Sequence, residues 1–151
     1  MRLKQTYSSR EVAALTGLSA RQLQLWDASG LMRSAIPSHP TAAGGFTERR
    51  YTPIEVFELL ALADLRGRDF SVHQLQQIVD TLRSPLGVSV FEATGGGTQV
   101  QLLTDGTRVF ARTSTGAFYN LLDSPTQPLL DIGDEARLKA VTGKIRKRGR
   151  R

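Results

Sequence analysis

Three polar side chains, Arg21, Gln22 and Gln24, crowd one short segment, Leu18-Ser-Ala-Arg-Gln-Leu-Gln-Leu-Trp-Asp27, with Gly30-Leu31 behind it. Their chemistry is recognition rather than catalysis. Arginine offers a planar fork of donors that matches guanine or phosphate, and glutamine pairs in the same two-pronged way with adenine. Farther along, Arg33, Arg49, Arg50 and Tyr51 supply cations and a hydroxyl. Those groups suit phosphate oxygens, which fix a protein's place on a duplex without reading its sequence. Ser19 joins the set because its hydroxyl opens the segment. The candidate DNA-contacting residues are therefore Ser19, Arg21, Gln22, Gln24, Arg33, Arg49, Arg50 and Tyr51.

Such residues act only if helices hold them. Four times a Ser or Thr stands three residues before a Glu or Gln at the head of an apolar run, the pattern of a capping box. Ser8 with Glu11 opens a first helix with Val12, Ala13 and Leu15 facing inward, and Gly17 closes it. Ser19 with Gln22 opens the second, anchored by Leu23 and Trp26, with Gly30 beyond its end. Trp26 reads as core, since an aromatic at helical spacing normally packs inward. Two short helices joined by a glycine turn have the form of a helix-turn-helix, whose second helix enters the major groove.

Thr52 with Glu55 opens a third helix, apolar over much of its surface, with Pro53 where a missing N–H costs nothing. Ser71 with Gln74 opens a fourth, where Leu75, Ile78, Val79 and Leu82 form one buried stripe before Pro85. Between the second and third helices, Leu31–Arg33 and Arg49–Tyr51 are expected to pair as a β-hairpin wing around a Pro/Gly/Ser-rich loop.

After Pro85 the apolar period falls from 3.6 to 2. Strands are expected at 88–93, 98–104, 107–113 and 117–122, with a further one including 129–132. Gly95–Gly97, Asp105-Gly106 and Ser114–Gly116 are the turns, and Asp-Gly is a strong hairpin signal. Residues 134–141 are expected to form a short helix. The fold class is α+β: a winged helix-turn-helix over 1–84, a small antiparallel β meander over 88–132, and a short helix with a disordered basic tail over 133–151.

Charge and composition limit the other possibilities. The net charge of +6 is uneven: residues 1–87 hold ten Lys/Arg against eight Asp/Glu, and residues 88–143 four against six. Residues 144–151 hold six basic groups and no acid, so the excess lies in the tail. A basic tail adds nonspecific phosphate attraction, so recognition rests on the helices. With no cysteine there is no disulfide and no thiolate metal site. His39 and His73 stand alone, and Gly95–Gly97 lacks the Lys-Ser/Thr of a phosphate loop. The sequence predicts no enzyme, no metal and no cofactor. No apolar run is long enough to span a membrane and no leader precedes the first helix, so the expected location is cytoplasmic, at the nucleoid.

Taken in order, these elements resemble the MerR family of winged helix-turn-helix regulators over about residues 7–82. The resemblance rests on Tyr7 with Glu11-Val12-Ala13, on Ser19–Asp27 with Gly30-Leu31, on Arg49-Arg50-Tyr51 before Thr52, and on Asp69-Phe70-Ser71. It implies that Arg21 is the leading base or phosphate contact, that Gln22 reads a base edge, and that Arg49 and Arg50 grip phosphate from the wing. Gln24 stands where the family usually has a second Arg, and Leu25 where it usually has Tyr. The loop from Ser34 to Thr47 is longer than usual. Where relatives carry a long helix forming a dimer coiled coil, this chain has Pro85 and strands.

The resemblance implies a sequence-specific transcriptional regulator that binds double-stranded DNA; with strands where the family keeps its dimer helix, the β module is expected to be a dimerisation or protein-partner surface and the protein a homodimer. The rival reading is an antitoxin-like or excisionase-like DNA-binding protein whose β module binds a toxin or a recombinase.

Overall fold

Each of the four Ser/Thr–Glu/Gln pairs starts a helix by the same reciprocal bonding. The cap hydroxyl accepts the N–H three residues on, and that residue's side chain accepts the cap's own N–H. Ser8 and Glu11 open α1 (Ser9–Thr16), Ser19 and Gln22 open α2 (Ala20–Ser29), Thr52 and Glu55 open α3 (Pro53–Gly67), and Ser71 and Gln74 open α4 (Val72–Arg83). The computed structural model describes residues 6–32, 36–40, 47–94, 100–129 and 137–141.

The turn between α1 and α2 is built from three residues. Gly17 takes a left-handed φ of 80° and donates to the Ala13 carbonyl at 2.9 Å. Buried Thr16 donates its hydroxyl to the Val12 carbonyl at 2.8 Å and accepts the Leu18 N–H at 3.1 Å. A left-handed backbone favours glycine because a Cβ would crowd the following carbonyl. The tight turn is thus fixed by local bonds rather than by packing alone.

The wing differs from its expected form. Its two arms are β2 (Ile36–Pro40) and β3 (Thr47–Tyr51), antiparallel, with a register shift between Ile36 and His39. A two-residue strand, β1 (Tyr7–Ser8), adds to the other side of β3, giving the order β1-β3-β2. Leu31 and Met32, expected in the first arm, are buried and form no strand; the Met32 N–H bonds back to the Trp26 carbonyl at 3.3 Å. Their apolar character serves the core beneath α2 and not a pleated arm. Arg33 lies outside the described residues.

Residues 88–93, expected as a strand, instead enter α5 (Val90–Thr94). A fifth capping box explains it: Ser89 Oγ accepts the Glu92 N–H at 3.1 Å, and Glu92 Oε1 accepts the Ser89 N–H at 2.9 Å. A second anchor comes from α3, where Glu58 accepts the Phe91 N–H at 3.0 Å. Burial raises the Glu58 carboxyl above its usual range, and the bond from Phe91 opposes that rise. Phe57 meets Phe91 edge to face with ring centroids 5.9 Å apart.

The remaining strands are β4 (Val100–Thr104), β5 (Val109–Thr113), β6 (Phe118–Asn120), β7 (Ser124–Leu129) and β8 (Lys139–Ala140), in the order β7-β6-β5-β4-β8. Adjacent strands are antiparallel, as the expected meander requires. Two expectations change. The last meander strand lies earlier than 129–132, and residues 130–132 are outside the described ones. Within 134–141, Lys139–Ala140 pairs with β4 rather than joining a helix, and the Val141 N–H reaches the Leu102 carbonyl at 3.0 Å. An open backbone edge on β4 offers more than a short isolated helix could gain. The basic tail falls outside the described residues.

One contiguous core joins both halves. It runs from Val12, Leu23 and Trp26 through α3 and α4 to Val90 and Ala93, and on to Val100, Leu102, Val109, Ala111 and Val141 of the sheet region. α3 is central, with eight of its residues buried. A smaller cluster of Leu103, Phe110 and Phe118 forms on the sheet's other face, as the two-residue alternation dictates. No helix among the described residues is long and apolar enough to cross a membrane.

Candidate nucleic-acid interface

The exposed side of α2 follows directly from its buried side. Leu23 and Trp26 point inward and are each 2% exposed. The opposite stripe, spaced i, i+3, i+4, i+7, is Arg21, Gln24, Leu25 and Ala28, all exposed. Two of the expected readers, Arg21 and Gln24, therefore share one outward face with Leu25. The other two early residues do a different job. Ser19 Oγ accepts the Gln22 N–H at 3.0 Å and Gln22 Oε1 accepts the Ser19 N–H at 2.9 Å. Gln22 thus has its carbonyl oxygen committed to the cap, leaving its amide donors for other contacts.

The wing arginines are held differently. Arg49 Nε bonds Asp27 Oδ2 at 2.5 Å, tying β3 to the last turn of α2. Both side chains are part-buried, so this ion pair is less screened than a surface one. Arg50 donates from Nη2 to Thr6 Oγ1 at 2.8 Å. Arg49 thereby fixes the wing to α2, and Arg50 fixes it to the segment before α1.

Tyr51 belongs to the core. Its side chain is 1% exposed, so it supports the wing from beneath and does not face a ligand. Burial pushes its phenol above the usual value, and the Asp27 carboxylate adds to that shift. Arg33 lies outside the described residues. The structure thus exposes Arg21 and Gln24 on α2, ties Arg49 to the last turn of that helix through Asp27, bonds Arg50 to Thr6, and uses Ser19 and Gln22 as the cap of α2.

Asp27 is the site residue that sequence reasoning left unassigned. Its partner stands 22 positions away. No local pattern announces such a pair; only the fold places a carboxylate at the end of α2 beside the wing. Together these elements give an exposed polar stripe on α2, a tight glycine turn before it, and a wing tied to its last turn by Arg49. That arrangement matches the shape and chemistry of a major groove bordered by phosphates.

Comparison with known proteins agrees with this geometry. The model of a family described as MerR HTH family regulatory protein matches residues 7–82, half of the chain. Proteins named uncharacterized HTH-type transcriptional regulators, from Mycobacterium bovis and from two strains of Mycobacterium tuberculosis, are 28% identical to it over 127 residues. The alignment covers 76% of this chain and 55% of each relative. The chain therefore spans about half the length of the curated relatives it matches.

Proposed function

The chain belongs to the MerR HTH family of regulatory proteins, and on that premise we propose that it is a sequence-specific DNA-binding transcriptional regulator. In this reading α2 lies in the major groove with Arg21 and Gln24 toward base edges. The β2–β3 wing lies against the backbone, with Arg49 and Arg50 on the side of the phosphates. Such a protein works on chromosomal DNA, in the cytoplasm at the nucleoid, and performs no catalysis of its own.

The observation that carries the proposal is the two-sided build of α2. Trp26 and Leu23 lock the inner face while a full stripe containing Arg21 and Gln24 stays exposed. A helix that buried its polar residues in internal bonds could not read anything. The names of the mycobacterial relatives support the same reading.

We assign the helical half, about residues 1–84, to DNA and the region after it, about residues 88–132, to self-association or a protein partner. A two-fold homodimer would place two copies of α2 on successive turns of one duplex face.

Footprinting of the full chain on the DNA upstream of its own gene tests the proposal in one experiment. The expected result is a protected segment with two related half-sites about one helical turn apart. Binding that falls uniformly on every sequence with added salt, without a protected segment, would leave only a nonspecific phosphate binder. Light scattering of the full chain checks the dimer separately.

A further inference from the structure

Leu25 lies on the reading stripe of α2 and is 51% exposed, between Arg21 one turn before it and Ala28 one turn after. The other large apolar residues of this helix, Leu23 and Trp26, are buried. A lone exposed leucine elsewhere would carry no message. Here its neighbours on the same face are the groups best suited to base edges, so its surface meets whatever they meet.

The major groove displays few apolar groups. Its base edges are donors and acceptors, with one exception, the C5-methyl of thymine. An isobutyl side chain can satisfy no donor or acceptor, and placing it over one would strip water from a polar edge without replacing the lost bond. Against a methyl group it instead removes apolar surface from water on both sides. We propose that Leu25 is a specificity-determining residue that selects a thymine through its C5-methyl. The inference rests on the DNA-reading role proposed above.

Geometry adds a position to the chemistry. Residues four apart on a helix are separated by about 6 Å along its axis, and successive base pairs of a duplex by about 3.4 Å. With α2 lying along the groove, the thymine sits within about two base pairs of the base contacted by Arg21.

The test uses the full chain and the tightest duplex it selects from a randomised library. Each thymine of that duplex is replaced in turn by deoxyuridine, which removes the methyl and nothing else. Fluorescence anisotropy then gives the affinity of the wild type and of Leu25→Ala. One thymine per half-site should lose about fourfold on replacement, the value for uncovering one methyl group. Leu25→Ala should show no loss at that position, while its melting temperature stays at the wild-type value because the side chain is exposed. Arg21→Ala should relax selection within about two base pairs of the same thymine.

Deoxyuridine tolerated at every thymine, or a loss of equal size in wild type and Leu25→Ala, would overturn the inference and leave DNA reading intact. Failure to enrich any duplex over random sequence would overturn both together.

Discussion

On α2 the outward stripe leaves Arg21 and Gln24 exposed, whereas on the wing Arg49 and Arg50 are already bonded, to Asp27 and to Thr6. The two surfaces carry the same kind of cation and sit side by side. The difference lies in what each arginine does before any partner arrives. The helix holds its polar groups in reserve and is positioned by apolar anchors on its other face. The wing is held by buried Tyr51 from beneath, and Arg49 and Arg50 are bonded to Asp27 and Thr6. A reader must be free, and a positioning element must be fixed.

The largest effect expected from breaking this arrangement comes from the buried side of α2. Trp26→Ala should destabilise the fold by about 3–5 kcal/mol, the range for emptying an aromatic core site. Folded domains hold only about 5–15 kcal/mol in total, so urea unfolding should show a midpoint far below the wild type, and DNA binding should fail with it. A midpoint within error of wild type would mean that α2 is not anchored through its inner face.

Next comes the free arginine. Arg21→Ala should cost roughly 1–3 kcal/mol of discrimination between the selected duplex and a scrambled one, with no change in melting temperature. Competition gel shifts report that ratio directly. Equal losses on both duplexes would move Arg21 from base reading to phosphate contact.

A smaller change should follow from releasing the wing. Asp27→Asn removes the carboxylate at the end of α2 and frees Arg49 from its ion pair. Nonspecific affinity should rise, and the slope of log affinity against log salt should steepen by about 0.9, one additional phosphate contact. The specific-to-nonspecific ratio should fall because the wing loses its fixed angle. An unchanged slope would show that Arg49 already reaches phosphate while paired.

The smallest effect is expected at Tyr51. With its hydroxyl buried in the core, Tyr51→Phe should leave DNA affinity within about twofold of wild type, on the order of 0.4 kcal/mol. A larger loss, at unchanged stability, would put the hydroxyl on the DNA side of the wing.

What the sequence made legible divides along the same physical line. Capping boxes are local, so Ser8, Ser19, Thr52 and Ser71 announce their helices within three residues, and Gly17 and Gly30 mark two ends. The same signal at Ser89 and Glu92 was masked by the β-favouring run Val88-Ser89-Val90-Phe91. A five-residue helix is too short for its period to outweigh that pattern. Pairings between distant segments leave no such trace. Nothing near Tyr7 announces that it will sit opposite Tyr51, and nothing near Lys139 announces β4 as its neighbour. Arg21 and Gln24 were readable because helical spacing alone turns them outward. The pairing of Asp27 with Arg49, and the burial of Tyr51, depend on how the wing docks.

The core that runs unbroken from Val12 to Val141 has a thermodynamic consequence. Helices and sheet cannot melt separately while they share α3 and α5 as a common support, so heating should give one calorimetric transition. Linkage then joins the two ends of the molecule. Any partner that binds the folded sheet stabilises the recognition helix by mass action, by about 2.7 kcal/mol at a hundredfold excess over its dissociation constant. The sheet need not touch DNA to govern how much of the protein is competent to read it.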